Sequence, residues 1–145
     1  MLFLMANHGS SRVKCEHELI VNTSGTVVVE YTYDAWGRLL TTTGSMASTL
    51  GEINPLRYRG YVYDTETGLY YLQSRYYNPA MGRFINADSY AATGQGFVGY
   101  NMFAYCNNNP VCYLDSNGNK AKKTTDDEDD EERYRFVGIG YVFRQ

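Results

Sequence analysis

The chain has 145 residues, 43% of them hydrophobic, with fifteen tyrosines against one tryptophan and a net charge of −3. That is enough for one domain with a modest core. Three cysteines (Cys15, Cys106, Cys112) exclude a disulfide framework, no stretch reaches transmembrane length, and no basic patch argues for nucleic acid.

Tyrosine joins an apolar body to a polar tip, so this composition suits broad sheets with a wet face, and a mainly β chain is expected. Residues 1–18 read as an irregular lead. The opening Met1-Leu2-Phe3-Leu4-Met5-Ala6 is too short for a secretory segment and has no cationic start. Cys15 and His17 have the spacing of half a metal site, but no second cluster supports one, so no metal and no cofactor are expected.

A short strand is expected over residues 18–21, then a turn at Asn22-Thr23-Ser24-Gly25, then a strand over residues 26–33. In that strand Val27, Val29, Tyr31 and Tyr33 share one face, and Thr26, Glu30 and Thr32 share the other. Tyr33-Asp34-Ala35-Trp36-Gly37-Arg38-Leu39 follows, and Tyr63-Asp64 with Gly68-Leu69 echoes it with one extra residue in the turn. Such self-similarity predicts stacked antiparallel β-hairpins. Between the two, residues 41–54 are rich in Thr, Ser and Gly and read as a flexible loop.

Residues 55–86 carry most of the information: a hairpin closed by Asp64-Thr65-Glu66-Thr67-Gly68, then turns at Asn78-Pro79 and Met81-Gly82. Gly94-Gln95-Gly96-Phe97-Val98-Gly99 spells a dinucleotide-binding fingerprint without its strand and helix, and reads as loop. Asn101-Met102-Phe103-Ala104-Tyr105 suits one helical turn, so the C-terminal part of the core is expected to be irregular with a short helix. The unbroken acidic run from Asp126 to Glu132 reads as a solvated linker, and the aromatic end from Arg133 as one strand or a hairpin.

The run from Tyr58-Arg59-Gly60-Tyr61 through Glu66-Thr67-Gly68-Leu69-Tyr70-Tyr71-Leu72 to Arg75-Tyr76-Tyr77-Asn78-Pro79 and Gly82-Arg83-Phe84-Ile85 resembles the Rhs repeat-associated core domain. Residues 33–39 resemble the YD repeat of the same bacterial polymorphic toxins, and Asn107-Asn108-Asn109-Pro110 with Asp115-Ser116-Asn117-Gly118 resembles the end of the core. The resemblance divides the chain into a lead (1–18), a YD hairpin and loop (19–54), the core (55–118) and a variable tail (119–145). It implies a structural end-plug of a hollow β-shell, with a larger shell or a C-terminal toxin segment as partner. Full-length relatives are secreted or delivered to the cell surface. A tail this short is too small for a toxin domain.

The resemblance also implies two candidate catalytic residues, because several relatives cut themselves just after the core with a pair of aspartates. By position these are Asp88 and Asp115, each followed by Ser where relatives tend to have Pro. Two carboxylates held together share a proton, one acting as acid while the other activates water. The alternative is that both cap turns. No other enzymatic chemistry is expected. Tyr61, Tyr63, Tyr70, Tyr71, Tyr76 and Tyr77 are candidates for a glycan platform, against the alternative of cross-strand packing.

Overall fold

A computed structural model describes residues 2–7, 15–88, 101–123 and 137–139. The glycine-rich stretch 94–99, Ser89 and the acidic run lie outside the described residues. The chain divides into two compact units, Met1–Gly60 with Asp129–Gln145, and Tyr61–Glu128. Both are antiparallel β structures.

In the first unit β1 (Leu2–Asn7), β2 (Cys15–Val21), β3 (Val27–Asp34) and β4 (Leu39–Thr43) pair consecutively, and β11 (Val137–Ile139) lies outside β1. The lead therefore contains a strand, and β2 begins three residues before its expected start. Neither was legible because residues 1–18 lack both alternation and a strong turn signal. The turn after β2 forms as expected: Asn22 Oδ1 accepts the amides of Ser24 and Thr26, and Gly25 takes φ of 80°.

Between Ile20 and Val21 the β2–β3 register shifts, so Ile20 faces Val29 but Val21 faces Val27. This bulge leaves Val28 as an extra residue and reverses the alternation beyond it. Val29, Tyr31 and Tyr33 are buried on one face as expected, while Val27 is 42% exposed and Val28 is buried instead.

The expected loop over 41–54 is largely structured. Thr41, Thr42 and Thr43 extend the sheet as part of β4, and a four-residue helix, α1 (Leu50–Ile53), covers its buried face. Composition alone suggested a loop, but threonine is a strand former when a neighbour offers a free edge. Tyr31 Oη donates to the Gly51 carbonyl at 2.9 Å. Arg57 closes the end of the same helix, its Nη2 donating to the carbonyls of Gly51 and Glu52 at 3.1 and 3.0 Å. Those carbonyls have no partner within so short a helix.

The second unit holds β5 (Val62–Asp64), β6 (Leu69–Tyr71), β7 (Tyr76–Asn78) and β8 (Arg83–Phe84) in consecutive order, and a separate pair, β9 (Tyr113–Leu114) with β10 (Lys122–Lys123). Tyr63 faces Tyr70, Tyr70 faces Tyr77 and Tyr77 faces Phe84, so four aromatic rings line one side of the sheet. Tyr105 seals that side, its ring centroid 4.1 Å from that of Tyr77. Burying Tyr70, Tyr77, Phe84 and Tyr105 stabilises the unit by roughly 2 kcal/mol per ring. At 101–105 the chain makes a single hydrogen-bonded turn and no helix, Ala104 donating its amide to the Asn101 carbonyl at 3.1 Å. A short 3-10 turn follows at Cys106–Asn108, with φ of 48°, 54° and 58° in the left-handed region.

Candidate functional site

The site grows from the tight turn between β6 and β7. Leu72 donates its amide to the Arg75 carbonyl, Ser74 donates to the Leu72 carbonyl, and Gln73 takes φ of 64°. This turn delivers Arg75 to the buried side of the sheet, where its guanidinium carbon lies 3.7 Å from the centroid of Phe84. A buried guanidinium needs every donor occupied and its charge balanced.

Segments later in the chain supply a partner for each of its three nitrogens and balance its charge. Arg75 Nε donates to the Gly118 carbonyl, and Nη1 donates to the Met102 carbonyl at 3.0 Å. Nη2 faces two carboxylates, Asp88 Oδ2 at 3.2 Å and Asp115 Oδ2 at 3.6 Å, the latter an ion-pair separation. The two aspartates singled out by sequence, 27 positions apart in the chain, thus meet at one guanidinium nitrogen.

Each aspartate is held by its own contacts. Asp88 enters through its backbone, its amide donating to the Met102 carbonyl at 2.9 Å. Asp115 also caps a turn, Oδ1 accepting the Gly118 amide at 2.8 Å, so the turn-cap reading and the meeting of the carboxylates hold together for this residue. Burial raises the Asp115 carboxyl above the usual aspartate range, opposed by the Gly118 amide and by Arg75. Burial lowers Arg75, opposed by Asp88 and Asp115. Gly118 takes φ of 76°, and a Cβ there would come within 2.6 Å of Ser74 Oγ and 2.8 Å of the Leu72 carbonyl oxygen. Only glycine lets the chain pass so close.

Sequence reasoning missed Arg75. Its one signal was an arginine inside the apolar run Tyr70-Tyr71-Leu72 to Tyr76-Tyr77, where an exposed charge has little place.

The tyrosine candidates separate into two faces. Tyr61, Tyr70 and Tyr77 are buried, and Tyr63 lies 5.0 Å from Tyr70 on the same side. Tyr71 and Tyr76 are each 41% exposed on the opposite side, but their rings are tilted by 40°. The six do not form one coplanar surface, because strand alternation sends neighbours to opposite faces. His17, the other residue weighed for a metal, pairs with Glu30 at 2.9 Å. Among the described residues no group of three or more His, Cys, Asp or Glu side chains is placed to hold a metal ion, and no helix is long and apolar enough to cross a membrane.

Residues 4–111 match the Teneurin YD-shell family. The tRNA nuclease WapA of Bacillus subtilis is 43% identical over 99 residues, covering 68% of this chain and 4% of WapA. Double-stranded DNA deaminase toxin A of Burkholderia cenocepacia is 34% identical over 96 residues, covering 66% of this chain and 6% of that protein. Among solved structures, a chain of the TcdB2-TccC3-Cdc42 crystal structure superposes with a TM-score of 0.60 at 33% identity, over 70% of this chain and 4% of that one. The chain thus spans a small fraction of the length of these relatives.

Proposed function

The chain belongs to the teneurin YD-shell family, and from that premise we propose that it is the terminal core of such a shell, a structural end-plug that anchors the segment following it and carries a self-cleaving aspartate pair. The observation that carries this reading is the convergence of Asp88 and Asp115 on Arg75, beside the point where the core ends at Gly118. Arg75 ties the sheet to residue 102 and to the Asp115-Gly118 turn, so the chain leaving the core departs from a fixed place.

The chemistry is hydrolysis of a peptide bond just beyond Gly118. Asp115, which burial favours in its protonated form, serves as the acid, and Asp88 serves as the base. Asp88 takes a proton from water as the water oxygen bonds to the carbonyl carbon. The carbon–nitrogen bond then breaks, and the departing nitrogen receives the Asp115 proton. The products are a carboxyl at the end of the core and an amine on the released tail. Arg75 holds both carboxyls at one guanidinium nitrogen and offsets the charge that a second ionisation would add.

Intact mass after expression tests the chemistry. Wild type is expected to lose a C-terminal piece, and Asp88→Asn and Asp115→Asn to remain whole. If all three stay whole, cleavage is excluded and the carboxylates serve only to anchor the turn.

A further inference from the structure

Asp115 is held at its backbone as well as at its carboxyl. Tyr61 Oη donates to the Asp115 carbonyl and lies 3.1 Å from Tyr105 Oη. The Tyr61 proton is committed to the carbonyl, so Tyr105 is the donor between the two hydroxyls. The bonds run one way, from Tyr105 to Tyr61 to the Asp115 carbonyl, and each polarises the next.

Both rings are core residues, Tyr61 5% exposed and Tyr105 fully buried. Tyr61 lies 6.3 Å from Tyr70 and Tyr105 4.1 Å from Tyr77, centroid to centroid, so the aromatic side of the β5–β8 sheet sets where the hydroxyls stand.

We propose that Tyr61 is a positioning residue for Asp115: through the carbonyl it fixes the backbone from which the carboxyl reaches Arg75. The inference rests on the self-cleavage reading and adds to it a residue outside the aspartate pair. The Gly118 amide and Arg75 fix one end of Asp115, and Tyr61 fixes the other. Removing the Tyr61 hydroxyl takes a donor from a buried carbonyl, which favours a shift of that backbone toward other donors. Small displacements of a reacting group are costly, and an ångström can reduce a rate about a hundredfold.

Tyr61→Phe keeps the ring and loses only the hydroxyl. The test follows self-cleavage of the full chain by intact mass across pH, with NMR titration of the Asp115 carboxyl carbon. Tyr58→Phe, which loses a hydroxyl bond to the Ala35 carbonyl within the first unit, is the control. The charged group facing the Asp115 carboxyl is Arg75, which also holds Asp88; Tyr61 stands on the Asp115 carbonyl, with Tyr105 behind it.

Tyr61→Phe is expected to cleave about tenfold more slowly. Its pH profile and its Asp115 titration should both move down, because a loosened turn admits water to the carboxyl and relieves the burial that raises it. Tyr58→Phe should cleave at the wild-type rate. If Tyr61→Phe cleaves at the wild-type rate with an unmoved profile, the inference is overturned while the self-cleavage reading stands. If wild type does not cleave, that reading falls, and an Asp115 titration identical in wild type and Tyr61→Phe overturns the positioning role as well. A titration that moves down in the variant retains it as a hold on the turn.

Discussion

A charged side chain removed from water must bring its counter-charges with it, and at the scale of single residues this governs both units. In the first unit Glu18 is buried with Oε1 accepting the Arg59 amide at 2.7 Å, while Oε2 has no hydrogen-bond partner. Burial raises Glu18 well above its usual range, with Glu16 adding to the shift and Arg59 opposing it. The folded chain therefore holds a proton that the unfolded chain releases above about pH 4.5. Stability from this group is complete below that value and declines as pH rises toward the folded-state value. Glu18→Gln keeps the acceptor for Arg59 and has no proton to lose. Thermal melts between about pH 5 and about pH 8 should show wild type losing stability more steeply than the variant. Parallel curves would mean that Glu18 ionises in place, with its charge carried by Arg59. Asp115 contributes in the same direction and is unaffected by the substitution, so some slope should remain in both.

At the scale of elements the two tyrosine–aspartate turns explain themselves in detail. Asp34 Oδ1 accepts the amides of Trp36 and Arg38, and its Oδ2 accepts Arg38 Nε at 2.6 Å. Asp64 repeats the device, accepting the Glu66 amide at 3.0 Å and the Thr67 hydroxyl at 2.6 Å. Both glycines take positive φ, 82° at Gly37 and 71° at Gly68. Their surroundings differ. A Cβ on Gly37 would lie 2.5 Å from the Tyr58 ring, itself anchored through its hydroxyl to the Ala35 carbonyl, whereas Gly68 meets only the Tyr63 hydroxyl at 3.8 Å. Gly68→Ala should cost about 1–2 kcal/mol from backbone strain alone. Gly37→Ala should cost roughly 2–4 kcal/mol, since overpacking against the ring adds to the strain. Urea denaturation of the two variants measures the difference, and equal costs would show that Tyr58 moves aside freely. The hairpins were legible because turn chemistry and alternation agree there. β1, β4 and α1 were not, because a strand or helix that relies on a neighbour leaves little local pattern in its own residues. The aspartates could be named from the resemblance, but Arg75, which joins them, has a role set by its contacts with Asp88, Met102, Asp115 and Gly118, all on later segments of the chain.

At the scale of the whole molecule, sheet edges matter more than any single contact. β4 is the last strand in its sheet order, and Leu39 and Leu40 on it are 42% and 53% exposed. Such an edge presents backbone donors and acceptors together with apolar side chains, a surface that natural proteins usually cover or charge. The chain covers 4% of WapA, and in a shell built from many repeats that edge would meet another strand. If the end-plug reading holds, the expressed chain should co-elute with a YD-repeat shell truncated before its own core. Leu40→Lys should weaken that association about tenfold or more, since a charge on a pairing edge opposes strand addition without touching the buried face. Association that survives Leu40→Lys unchanged would move the contact away from β4. Absence of co-elution in wild type would instead count against the end-plug role itself, leaving the Arg75 site to be judged by cleavage alone.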